Sequence, residues 1–157
     1  INFSDEDVAF AKELSATIPA PMLQAVKKGM EASFDPTLTW DYIGEYLNPT
    51  VVAPNWDARD TLAGSTDVAE VSYITPTGNL MASTEPIGTP AHSWQQVAAS
   101  GHSMGFKGML YAAKVMALTT LDLFTQPDLL QAAKDEFMRS TGGKKYVSPL
   151  PADAKPR

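Results

Sequence analysis

Two histidines, His92 and His102, and no cysteine among 157 residues set the limits of the chemistry this chain can carry. Disulfides, thiolate zinc sites and thiol nucleophiles are excluded together. A transition-metal site must be built from the histidines plus carboxylates, and zinc, bound by imidazole at about 2.0–2.1 Å, needs at least three protein ligands. His92 lies in GTPAHSWQ (88–95), a Gly-, Pro- and Ser-containing turn of the kind that presents ligands at strand ends. No second histidine or carboxylate stands at helical or hairpin spacing from it, so spacing alone leaves open a plain hydrogen-bonded loop histidine. His102, in SGHSMG, reads as an exposed helix-entry residue. The stretch AGSTDVAE (63–70) sets Gly64, Ser65, Thr66 and Asp67 ahead of a β-branched run. Its amides and hydroxyls could hold a carboxylate-like anion, or they could satisfy a local turn. Neither GSTD nor HSWQ has the G-x-S-x-G pattern of a nucleophile elbow. Trp94, beside His92, is the tryptophan expected near any site.

The elements that must position these residues follow from periodicity and punctuation. Ser4 with Asp5, Glu6 and Asp7 predicts a helix start, because acceptors and negative charge satisfy the first-turn amides. Val8, Ala11, Leu14 and Ile18 recur at helical spacing up to Pro19 or Pro21. A second helix is predicted from Pro21 to about Ser33. Residues 34–63 read as a long excursion with at most short elements. VAEVSYIT (68–75) and Leu80 to Thr84 predict strands. From about Lys107 to Phe124 the apolar stripe is too wide for a surface helix and predicts a mostly buried one. Thr125 and Asp128 suggest a capping-box variant. It opens a helix whose buried face is Leu129, Leu130, Ala133 and Phe137 and whose end is Gly142 and Gly143. The proline-rich tail should lie extended on the surface or fray.

Twelve basic against eighteen acidic residues give a net charge of −6, which argues against nucleic acid or anionic lipid as the main partner. No stretch of about 20 apolar residues predicts a membrane span. The opening INFSDEDVAF has no signal-peptide pattern and no initiator methionine, which suggests a cytoplasmic protein and a fragment or trimmed chain. Helices flanking a strand-rich middle imply α/β layers. Two strands make a thin sheet, so further strands are expected on chain not present here.

Taken together, Gly64 to Val68, Val71-Ser72, Gly88-Thr89-Pro90, His92 to Gln95, Lys107-Gly108-Met109 and Ala113 to Ala117 resemble the C-terminal part of the p-aminobenzoyl-glutamate utilization protein B group. That group belongs to the dinuclear-metal aminoacylase and carboxypeptidase superfamily, clan MH. The likeness is strongest over residues 60–156. It implies that residues 1–157 form the C-terminal segment of a zinc-peptidase-like α/β/α sandwich catalytic domain, without the lid domain. It places His92 at the family's last metal ligand and Gly64, Ser65, Thr66 and Asp67 at the rim of the substrate pocket. Phe106, Ala91 and the pair Ala69-Glu70 depart from the histidine, the glycine and the Gly-Asp pair usual there.

The activity implied is metal-dependent amidohydrolysis of p-aminobenzoyl-glutamate or a related N-acyl amino acid or peptide. Two divalent ions, Zn or Mn, would activate a water in the intact enzyme. The other ligands are not found in this sequence, so the fragment alone is expected to be inactive and to bind no metal in the limiting case. Upstream chain of the same protein, a second subunit and a homodimer are the implied partners. The alternative is a non-catalytic partner or binding subunit of such a hydrolase complex, and a third reading is a self-sufficient small domain.

Overall fold

The computed structural model describes residues 1–33, 40–52, 66–151 and 153–154. Among the described residues every regular element is a helix. These are α1 (Asp5–Ser15), α2 (Ala20–Ser33), α3 (Trp40–Ile43), α4 (Val68–Ser72), α5 (Trp94–Ser100), α6 (Ser103–Thr125) and α7 (Pro127–Thr141). This overturns the α/β expectation and, with it, the assignment to an α/β/α sandwich of clan MH, because no sheet stands among the described residues. Residues 68–75 show the physical reason. Strand preference of β-branched residues is a preference for packing on a pleated neighbour. Without one, the amides turn to nearby carbonyls: Val71 N–H donates to Asp67 O at 3.4 Å, Ile74 to Val71 O at 2.9 Å and Thr75 to Val71 O at 3.1 Å. Residues 80–84 are irregular and join no ladder.

The chain divides into two units, Ile1–Leu62 with Leu80–Met116, and Ala63–Asn79 with Ala117–Arg157. The first unit owns the core. Ala11 and Leu14 of α1 meet Leu47, Ala99 of α5 and Met104 of α6, with Phe3, Phe10, Tyr46 and Ala98 packed around them. α1 begins at a capping box, Ser4 with Asp7, as its acidic first turn requires. Gln95, buried on α5, donates to Thr17 Oγ1 at 3.3 Å and joins the end of α1. α6 enters this core at its N-terminal end, where two glycines let backbones touch. A Cβ on Gly105 would lie 2.6 Å from Ala99 O, and one on Gly108 would collide with Ser83 O and Thr84 Cγ2.

The second unit has no buried residue among those described. The apolar stripe of α6 predicts burial, yet Leu118 is 62% exposed, Leu121 55% and Phe124 84%. The predicted buried face of α7 is likewise corrected: Leu129 and Leu130 are exposed, and Ala133 and Phe137 are only half-buried. The capping box at Thr125 and Asp128 does not form. Thr125 Oγ1 donates back to Leu121 O, and α7 starts at Gln126 without a side-chain cap, with Pro127 in the first turn. Gly142 and Gly143 do end α7, both at positive φ (61° and 67°). Ordering a residue costs about 1–2 kcal/mol of backbone entropy, and helices of this length depend on burying a face. The described part of the second unit therefore lacks an apolar core of its own to offset that cost.

The Gly108 contact is testable. Gly108→Ala should destabilise the chain by about 1–3 kcal/mol through overpacking, seen as a lower urea midpoint at unchanged slope. An unaltered midpoint would mean that Ser83 and Thr84 do not sit on α6.

Candidate functional site

A cluster of polar side chains forms where α1 meets the start of α6. Asp7 is fully buried. Its Oδ2 accepts from Ser4 N–H (2.8 Å), from the Ser4 hydroxyl (2.9 Å) and from Lys107 Nζ, while its Oδ1 accepts from the Ser103 hydroxyl. His102 Nδ1 lies 3.6 Å from the same Oδ1. The His102 ring stacks on Phe10 with centroids 4.0 Å apart and planes within 6°, so His102 is half-buried rather than the exposed residue expected. Burial pushes the Asp7 carboxyl up. Lys107, Ser103 and Ser4 together outweigh that and hold it well below the usual carboxylate range.

Serine, histidine and aspartate side by side invite comparison with a hydrolytic triad, and the geometry rejects it. A relay needs the imidazole to present one nitrogen to the serine and the other to the carboxylate. Here Nδ1 faces both, at 3.3 Å from Ser103 Oγ and 3.6 Å from Asp7 Oδ1, and it also accepts from Met104 N–H at 3.4 Å. The Ser103 proton goes to Asp7, not to the ring. The cluster fastens two helices and offers no base to a substrate. Only its capping-box half is legible in the sequence; Ser103 and Lys107 are 96 and 100 positions from Asp7, and no spacing rule reaches that far.

His92 stands in the first unit, exposed, on left-handed backbone at φ 58°, a conformation that costs a residue with a Cβ. Its backbone N–H donates to Gln96 Oε1 at 2.9 Å. Gln96 also hydrogen-bonds the half-buried Glu85, whose carboxyl is pushed up by burial and drawn partly back by that bond. Trp94 is exposed at the start of α5. Thr66 and Asp67 lie in the second unit at the entry to α4, where Thr66 Oγ1 accepts from Val68 N–H at 3.3 Å. Gly64 and Ser65 fall outside the described residues.

Among the described residues no group of three or more His, Asp or Glu side chains could hold a metal ion. A two-ion centre needs more donors than His92 supplies, and the described residues bring none of the others beside it. The expected amidohydrolase and metallopeptidase activity is thereby corrected: both the sheet scaffold and the ligand cluster it requires are missing among the described residues. No helix among them is long and apolar enough to cross a membrane.

Comparison with known proteins agrees with a partial likeness. The chain is 33% identical over 156 residues to the B-type subunit of p-aminobenzoyl-glutamate hydrolase from Escherichia coli (strain K12), a match covering 98% of this chain and 32% of that protein. The chain thus spans about a third of the length of that curated relative. No protein-family model matches it, and no solved structure does.

Asp7 predicts an acid limb. A carboxyl held low in the folded state and near 3.9 when unfolded contributes stability that is full above about pH 4. That stability is lost as pH falls further, towards the folded-state value, because the unfolded chain then binds the extra proton. Asp7→Asn should cost about 1.5–3 kcal/mol at neutral pH and flatten this part of the stability profile, measured by urea unfolding between pH 2 and 7. An acid slope identical in the variant would show that Asp7 is not its source.

Proposed function

We propose that this chain is a non-catalytic partner or binding subunit of a hydrolase complex. One observation carries the reading: the buried carboxylate of Asp7 commits its acceptor capacity to Ser4, Ser103 and Lys107, so the polar centre holds helices together and is closed to substrate. The donor set around His92 supports it, being too small among the described residues for a metal centre. The bare apolar side chains of α6 and α7 support it as well, since exposed apolar surface of this kind marks contact with another protein. The relative is named as a subunit of a hydrolase, which supplies the kind of assembly. In this proposal the companion chain brings the ligands and the water-activating acid. Gly64, Ser65, Thr66 and Asp67 are offered as contacts for the carboxylate of an N-acyl amino acid or peptide, and His92 is not needed for turnover.

Reconstitution tests this. The full chain is mixed with its companion hydrolase subunit, and amide cleavage of an N-acyl amino acid is followed with added Zn or Mn. The chain alone should give no turnover, and His92→Ala should leave the rate of the complex within about twofold. A loss of tenfold or more in His92→Ala, accompanied by loss of bound metal, would restore His92 as a ligand and end the non-catalytic reading.

A further inference from the structure

Within the second unit a cleft of about 370 Å³ is lined by Tyr73, Ile74, Phe137, Lys144, Lys145 and Tyr146. Local structure brings these residues together. Tyr73 ends α4, its N–H donating to Glu70 O at 3.3 Å. Phe137 stands near the end of α7, and Gly142 and Gly143, both on left-handed backbone, turn the chain there so that residues 144–146 share one cleft with it. Lys144 N–H closes that turn on Thr141 O at 3.2 Å.

The cleft offers two kinds of contact. The rings of Tyr73 and Tyr146 lie within 15° of parallel with centroids 6.0 Å apart, an aromatic pair in stacking range. Tyr73 is 57% exposed, so the pair keeps ring surface for a third planar group. Lys144 and Lys145 are exposed beside it, and among the described residues neither ammonium has a carboxylate partner. Two adjacent positive charges left unpaired in a chain of net charge −6 call for an anion from outside.

Ring surface and doubled positive charge together select a planar aromatic group that carries a phosphate. A phosphate group brings about 1.5–2 negative charges at neutral pH, matching both ammonium groups, where a single carboxylate brings one. Small-molecule sites begin at about 300 Å³, so the cleft has room for one nucleotide. The acidic balance of the chain weighs against a nucleic acid strand, which carries a phosphate at every step, and far less against a ligand that carries one.

We infer that this cleft binds a mononucleotide-type ligand, its aromatic base stacked on the Tyr73–Tyr146 pair and its phosphate held by Lys144 and Lys145. The described part of this unit has no buried residue, so a seated base also supplies apolar contact that the unit lacks. The inference is independent of the hydrolase reading, because it is measured as binding, without a companion subunit or turnover.

The experiment is isothermal titration calorimetry of the full chain with adenosine 5′-monophosphate, adenosine and inorganic phosphate as probes. The monophosphate should bind saturably and at least tenfold more tightly than adenosine, which lacks the charge, or phosphate, which lacks the ring. Replacing both lysines, Lys144→Ala with Lys145→Ala, should weaken the monophosphate at least tenfold and leave adenosine unchanged. Tyr146→Leu should weaken both by about tenfold, whereas Tyr146→Phe, which keeps the ring, should stay within about threefold. Lys134→Ala removes the same charge from an exposed position outside the cleft and should leave affinity within about twofold. Absence of saturable monophosphate binding would overturn the inference. So would phosphate binding as tightly as the monophosphate, or a loss in Lys134→Ala equal to that of the double lysine variant.

Discussion

The contact on which the first unit depends is the buried carboxylate of Asp7. It closes the first turn of α1 through Ser4 and, through Ser103 and Lys107, pins the beginning of α6 to that turn. The His102 ring, stacked on Phe10, lies beside the same carboxylate, with Nδ1 3.6 Å from Oδ1. An unpaired carboxylate in that position would be costly, whereas one with every oxygen engaged is an anchor. The apolar contacts of Ala11, Leu14, Ala99 and Met104 belong to the same pair of helices and to α5. Polar and apolar terms therefore order α1 and the start of α6 together.

From that anchor α6 passes out of the core. Its first turns are pressed so closely on neighbouring backbone that two positions tolerate only glycine, while its later turns present leucine and phenylalanine to solvent. The contrast is the clearest pointer to what the chain does. A helix with this composition is made to be covered on more than one side, and the described residues cover it only at its start. The proposed binding role rests on this contrast between a polar centre engaged within the fold and bare apolar side chains on the later turns of α6.

Much of this is legible in residue order. The acidic start after Ser4 announces α1, and Pro21, Gly142 and Gly143 announce where helices begin and end, because caps and forbidden dihedrals are local properties. The width of the α6 stripe is legible too, but its burial is not, since that depends on what lies alongside. The run VAEVSYIT misleads for the same reason: β-branched residues favour a strand only when a neighbour is there, and local carbonyls take the amides instead. The Asp7–Lys107 tie is invisible in the sequence because it is long-range. The resemblance around His92 and residues 64–67 carries an expectation of a metal enzyme that rests on a scaffold not seen among the described residues, although the likeness of sequence to a hydrolase subunit is real.

Order in this chain originates at the Asp7 tie and its small core, and the described part of the second unit has no buried residue. Amide hydrogen exchange on the dilute chain, resolved to peptides, reads that order element by element. Shared, strong protection is expected in α1, α5 and the first turns of α6, with α7 exchanging close to the rate of unstructured chain. Equal protection across α7 and α1 in the dilute chain would contradict it.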